Sequence, residues 1–184
     1  MTYYERNLPH WHPTSRWIFV TWRLHGSLPL DVVERLRSSE CDAGERFARA
    51  ERFLDGANTG PLWLSNSQVV DIVVRCVSHG ALALRFYALI AYVVMPNHVH
   101  LLIDPQVPMK RITAGIKGVG ARDANRVLGR TGQTFWQAES FDHWVRNAAE
   151  GAKIKQYVEQ NPVKAGLVGS AEQWPWSSAE KPSL

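Results

Sequence analysis

Bulky apolar residues alternate with smaller or polar ones along Trp17-Ile-Phe-Val-Thr-Trp-Arg-Leu24. A period of two is that of a half-buried strand, and His25-Gly-Ser-Leu-Pro29 supplies residues that end one. From Asp31 to about Leu54 the positions Val32, Val33, Leu36, Phe47 and Phe53 fall at loosely helical spacing, with Asp31 as a cap and a break at Cys41-Asp-Ala-Gly44. Asp55 to Pro61 reads as a loop. Val69, Val70, Ile72, Val73 and Val77 then predict a short helix over Ser67–His79, and an apolar β-branched run predicts a strand over Leu84–Met95. Pro96-Asn97 suits a tight turn, and a second short apolar run leaves it at once, which is a hairpin signal. After the Pro105-Gln-Val-Pro108 linker a basic segment reads as helix, although Gly115, Gly118 and Gly120 each cost about 1 kcal/mol relative to alanine. Thr134–Val145 is dense in aromatics and predicts a final strand or bent ribbon.

The last predicted element begins at Asn147-Ala-Ala-Glu150, which has the form of a capping box. It is expected to stop near Asn161, because Pro162 pushes its predecessor out of helical geometry. Ile154 and Val158, four apart, make its buried stripe, and Lys153, Tyr157 and Asn161 stack along an adjacent face. Tyr157 thus lies on the polar flank, where a packing tyrosine at a core edge would also lie.

Composition narrows the class. A chain of 184 residues with 45% hydrophobic content is expected to form one domain with a sizeable core. No apolar run approaches the roughly 20 residues that span a bilayer. The N-terminus lacks the pattern of a signal peptide, and Cys41 and Cys76 have no CxxC spacing, so a reducing cytoplasm is expected. The net charge is only +4, but Lys110, Arg111, Lys117, Arg122, Arg126 and Arg130 face the single acid Asp123 between positions 105 and 131. Such a segment attracts polyanions, phosphate backbones above all, unless it is merely a solvated helix face. Eight tryptophans are many for this length, and those beside basic or turn residues, as in Pro9-His10-Trp11-His12, can stack unpaired bases when exposed.

The candidate chemistry sits in the returning strand of the hairpin. His98 and His100 are two apart, so both imidazoles project to one side with Val99 opposite. Two borderline nitrogen donors converging on one point suit a divalent cation if other elements complete the set. Half-exposed pairing histidines would show the same spacing. A nucleotide hydrolase of the HIT type would need a third histidine at the next alternate position, which is Leu102.

Four runs taken together carry a resemblance: Val94-Met-Pro-Asn-His-Val-His-Leu-Leu102, Gly132-Gln-Thr-Phe-Trp-Gln137, Tyr157-Val-Glu-Gln-Asn-Pro-Val-Lys-Ala-Gly-Leu-Val168 and Trp174-Pro-Trp-Ser-Ser178. With Leu8-Pro-His-Trp11 and Phe19–Leu24 they resemble, over nearly the whole chain, the REP-associated tyrosine transposases. These are the domesticated branch of the single-tyrosine, IS200/IS605-type HUH transposases. The resemblance implies an α+β fold with a ferredoxin-like or RRM-like antiparallel sheet and helices on one face. The catalytic domain would span 1–168, with 169–184 as a C-terminal tail that covers the site, touches DNA or straps the core. His98 and His100 match the family's metal-binding histidines, Asn161 occupies the place of a third ligand, and Tyr157 matches the nucleophile.

The implied activity is a Mg²⁺- or Mn²⁺-dependent endonuclease and strand transferase acting on single-stranded DNA with a REP-type hairpin, through a 5′-phosphotyrosine intermediate. A phenol of ordinary pKa near 10 needs a nearby cation or base for such attack. Lys153, one turn before Tyr157, is placed to contact the phosphate or favour phenolate, unless it is a solvated helix charge. Lys110, Arg111, Lys117, Arg122 and Arg126, with His10 and Trp11, are the candidate DNA contacts. A catalytically silent hairpin-binding protein is the alternative; a relaxase would usually be longer and carry further tyrosines or domains. The expected setting is the bacterial cytoplasm in association with the nucleoid, without membrane contact. A monomer is expected, with a tyrosine-exchanging dimer as the other possibility.

Overall fold

The computed structural model describes residues 17–56 and 60–179 in full, and only the backbone at 2–5 and 9–12. β3 (Ile18–Arg23), β4 (Tyr87–Val94), β5 (His98–Pro105) and β6 (Phe141–Trp144) form one sheet in the order β4-β5-β3-β6, every pair antiparallel. Between β3 and β4 run α1 (Leu30–Ser38), α2 (Ala43–Gly56) and α3 (Ser67–Leu82); α4 (Met109–Val127) joins β5 to β6, and α5 (Ala148–Lys164) follows. Sequence order and spatial order together give the β-α-β-β-α-β arrangement of the ferredoxin-like fold, with α1 and α2 as additions before α3. β1 (Thr2–Glu5) and β2 (Pro9–His12) pair as a separate antiparallel ribbon.

The period of two sorts the strands onto two cores. Ile18, Val20 and Trp22 of β3 and Val99, Leu101 and Ile103 of β5 pack against Val69, Val70, Val73 and Val77 of α3 and Ile112 and Ile116 of α4. The alternate residues Phe19 and Leu102, with Val93 of β4, meet Val158 of α5 and Phe47 of α2 on the opposite face. The expected α+β class and antiparallel sheet are present, but the helices do not share one face. β5 is buried from His98 through Ile103 on both sides, so the sheet needs a second cover, which α5 and α2 provide.

Some boundaries differ from the local signals. α3 runs on to Leu82, three residues beyond the expected end, before Arg85 turns the chain at φ 51°. β6 is only four residues long, because Phe135 and Trp136 are drawn into the core beside Trp22 and the chain from Thr134 to Ser140 is loop. α5 passes through Pro162 to Lys164 and ends before Gly166, whose φ is +71°. Proline removes only one backbone donor, and in the last turn its neighbours still find partners: Ala165 N–H donates to Asn161 O and Leu167 N–H to Pro162 O, both at 2.9 Å. The left-handed glycine ends the helix, as it commonly does. Asp31 lies inside the first turn of α1 and pairs with Arg35 rather than capping.

The tail is a strap. Val94 N–H donates to Trp176 O and Ser178 N–H to Tyr92 O, each at 2.9 Å, and the indole of Trp174 donates to Val94 O at 3.0 Å. These bonds satisfy the outer edge of β4, which would otherwise present unpaired backbone groups. Both cysteines are free, and among the described residues no helix is long and apolar enough to cross a membrane.

Candidate active site

The hairpin turn does more than reverse the chain. Asn97 is buried, and its side-chain N–H donates to Leu54 O at 3.0 Å, which leaves its amide oxygen 2.6 Å from His98 Nδ1. An amide oxygen only accepts, so His98 carries its proton on Nδ1 and turns the lone pair of Nε2 into the site. Thr21 of β3, directly opposite His100 in register, places its hydroxyl 2.7 Å from His100 Nδ1. Phe19 stacks on the His100 ring with centroids 5.6 Å apart. The two Nε2 atoms end 2.9 Å from each other, with both side chains fully buried.

Two helices close over this pair. Asn147 accepts from Glu150 N–H at 2.9 Å and so starts α5, while Glu150 reaches back one residue further than a capping box, to Arg146 N–H at 2.6 Å. Gly151 lets α5 approach the Trp17 ring; a Cβ there would stand 2.9 Å from ring carbons. So docked, α5 presents Tyr157 to the histidines, with the Tyr157 and His100 ring centroids 5.6 Å apart. α2 contributes Glu51, whose Oε2 lies 3.1 Å from His100 Nε2, 3.9 Å from His98 Nε2 and 2.6 Å from the Tyr157 hydroxyl that donates to it. Asn161 is wholly buried, and among the described residues neither atom of its amide makes a hydrogen bond of ordinary geometry, although the side chain lies close enough to the Tyr157 phenol to pull against its upward shift.

The electrostatics follow from burial. Desolvation holds His98 down at about 3, so it is neutral at pH 7. Burial alone would raise Glu51, but His100 and His98, together with hydrogen bonds from His100 and Tyr157, outweigh it and hold the carboxyl at about 2. The Tyr157 phenol is pushed well above its ordinary value, first by burial and then by the Glu51 carboxylate. Beside them Lys164 pairs with Asp55 at 3.2 Å and lies 5.4 Å from the Tyr157 ring centroid.

Glu51, His98 and His100 offer donor atoms that all lie within 4.8 Å of one another. Ligands held about 2.1 Å from one ion at right angles stand about 3 Å apart, which is the spacing of the two imidazole nitrogens. A carboxylate and two imidazoles form a mixed nitrogen and oxygen set, and the buried Asn161 amide, one helical turn beyond Tyr157, is a further oxygen donor of the kind such a set takes. The set fits a divalent cation such as Mn²⁺ at least as well as Mg²⁺, which prefers oxygen alone.

The structure therefore gathers His98, His100 and Tyr157 at one point, with Asn161 buried one helical turn beyond Tyr157, and adds Glu51. That acid carried a signal: Phe47, Glu51 and Leu54 are spaced four and three apart, so the acid lies on the inward stripe of α2, where a carboxylate is rarely buried unless paired. Lys153 is exposed on α5 and has no hydrogen bond or ion pair among the described residues. The basic helix α4 covers the other face of the sheet from the histidines. On it Lys110 is exposed, Arg111 lies 4.6 Å from the Phe86 ring centroid, and Arg122 and Arg126 share Asp123 Oδ1 at 3.1 and 3.2 Å. Lys117 donates to the carbonyls of Gln137 and Ala138, and burial lowers it to about 8. It pins the loop that leads to β6. The side chains of His10 and Trp11 lie outside the described residues.

Comparison with solved structures places the fold beside a REP-associated tyrosine transposase determined with a REP hairpin bound: TM-score 0.59 and 18% identity over 97% of this chain and 83% of that one. A candidate transposase of Deinococcus radiodurans R1 aligns over 82% of this chain and 93% of its own at 18% identity, with a TM-score of 0.38 that carries no structural argument. No curated protein matches. The family described as "Transposase IS200 like" matches residues 68–161, just over half of the chain, from the start of α3 through the histidine hairpin to Asn161. The chain thus belongs to the IS200-like transposases.

Proposed function

We propose that the protein is a metal-dependent endonuclease and strand transferase of single-stranded DNA, acting on REP-type hairpins through a 5′-phosphotyrosine intermediate. The observation that carries this reading is the Tyr157 hydroxyl, held at 2.6 Å by a carboxylate that itself lies 3.1 Å from His100. His98, His100, Glu51 and Asn161 would hold the cation. When bound, it supplies Lewis-acid polarisation of a non-bridging phosphate oxygen and offsets developing charge.

The protein's own groups do the rest. Asn97 and Thr21 hold the imidazoles in orientation, and Phe19 and Phe47 keep the His100 ring dry on the sheet side. Glu51 orients the phenol by accepting its hydrogen bond, and the phenol proton passes to water as the Tyr157 oxygen bonds to phosphorus. The bond from phosphorus to the 3′-oxygen breaks, and that oxygen leaves with the electron pair and takes a proton from water. The phosphate bond energy stays in the tyrosyl ester, so a second 3′-hydroxyl can attack it, return the proton to the phenol and rejoin DNA without a nucleotide cofactor. Lys153, at the exposed end of the same helical stripe, would meet DNA outside the site rather than the phenol. The α4 cations would serve a strand or hairpin stem that reaches round the sheet edge.

The test is a labelled single-stranded hairpin incubated with Mn²⁺ and run on a denaturing gel. The reading expects a covalent protein–DNA band that is lost in Tyr157→Phe and in chelator. Binding without any adduct in the wild type would leave a hairpin-binding protein.

A further inference from the structure

A cavity of about 610 Å³ opens beside the site, walled by α1, α2, β3 and the chain from Gln137 to Phe141. Thr21 and Glu51 line it, and these are the residues that touch His100 and Tyr157, so the cavity is continuous with the candidate active site. Its size lies within the roughly 300–1,000 Å³ range of small-molecule pockets and admits a nucleotide.

Two kinds of surface face it. Phe47 and Phe141 are stacked with centroids 4.2 Å apart and planes at 18°, on an otherwise apolar wall. Arg23, Arg37 and Arg46 supply the charge, and among the described residues none of the three has an ion-pair partner. Arg23 is the most constrained. It is half-buried, among the described residues its guanidinium reaches only the neutral Ser27 hydroxyl at 3.2 Å, and burial and the charge of Arg37 lower it to about 10. Arg46 spends one N–H on Cys41 O at 2.6 Å. Of the two acids in the wall, Glu51 is committed to Tyr157 and the histidines, which leaves Glu139. Like charges held together near a buried position raise the energy of the empty cavity, and an anion bridging them lowers it.

We propose that this cavity seats the nucleotide adjoining the scissile phosphate of single-stranded DNA, with its phosphate between Arg23 and Arg37 and its base against the Phe47 and Phe141 rings. The assignment rests on the DNA-cleaving reading of the adjoining site. It also gives α1 and α2 a purpose: they stand outside the six-element sheet unit, yet they bring Glu51, two arginines and one ring of the stacked pair. The α4 face offers none of this beside the histidines.

The experiment uses the full chain and a fluorescein-labelled pool of 12-nucleotide single strands of randomised sequence, with binding followed by anisotropy in chelator. Arg37→Gln removes an exposed cation without touching the core and should weaken binding several-fold at moderate salt. It should also flatten the slope of log K against log salt by about 0.7, the value for one phosphate contact on a single strand, and Arg37→Lys should restore the slope. A pool carrying 5-iodouridine, irradiated on the wild type, should crosslink to the peptides holding Phe47 or Phe141. An unchanged slope in Arg37→Gln, crosslinks only elsewhere, or no binding of the pool at 20 mM salt would overturn the assignment. Failure of the parent reading looks different: the slope and crosslink results hold, but no Tyr157 adduct forms in Mn²⁺.

Discussion

Asn161→Leu reverses the usual direction of a mutation in a buried site. The amide is fully buried, and among the described residues neither of its polar atoms makes a hydrogen bond of ordinary geometry. Leaving a buried donor or acceptor unsatisfied costs about 1–3 kcal/mol, whereas an apolar side chain of similar shape carries no such cost. Leucine also has the better helix propensity, by up to about 0.7 kcal/mol. The metal-free variant is therefore expected to gain about 1.5–3.5 kcal/mol. At 2–4 °C per kcal/mol for a domain of this size, that raises Tm by roughly 3–14 °C. Mn²⁺ should stabilise the two proteins unequally. A ligand at 100 times its Kd stabilises the wild type by about 2.7 kcal/mol, and the variant, short of one donor, should gain less. Urea and thermal unfolding in chelator and then in Mn²⁺ measure both quantities. A variant less stable than wild type in chelator would mean that the amide has a partner in the folded chain, and a gain below 0.7 kcal/mol would be propensity alone. Equal stabilisation by Mn²⁺ would remove Asn161 from the ligand set.

Three further outcomes are expected. Asn97→Ala frees His98 to change tautomer and should weaken Mn²⁺ affinity about 10–100-fold by calorimetry, as loss of an outer-shell partner does elsewhere; unchanged affinity would show that the hydrogen bond does not set the tautomer. His98 is held at about 3 when folded, below its ordinary 6.5, so between those values the unfolded chain binds more protons and stability falls as pH drops through 6.5. By pH 4.5 the loss should approach 2–3 kcal/mol of the metal-free protein's stability, and a flat urea midpoint over that range would contradict the burial argument. Gly151→Ala would bring a Cβ to 2.9 Å from the Trp17 ring and 3.4 Å from Val145, costing about 1–3 kcal/mol and lowering adduct yield as α5 shifts; a Tm within 1 °C of wild type would show that the ring yields freely.

Local rules were sufficient for part of the site. Alternation put His98 and His100 on one side of a strand, and the start of α5 at Asn147 put Tyr157 and Asn161 on one flank of a helix, because both follow from periods fixed by backbone geometry. The same rules misplaced the end of α5: Pro162 marks a missing donor, but whether a helix stops there depends on whether the neighbouring groups find partners, and here they do. They also gave the basic stretch of α4 a charge without a location.

Residue order alone sets which side chains share a side of each element, and its motifs mark the hairpin and the tyrosine helix as belonging together. Which elements meet is set by long-range packing. Glu51 and Tyr157 are 106 positions apart, and no local period records that α2 folds over the histidines while α4 packs behind the sheet. Arg23, Arg37 and Arg46, scattered along the first quarter of the chain, become one surface for the same reason: long-range packing chooses the face on which an element buries its apolar stripe, and with it the site to which its polar residues belong.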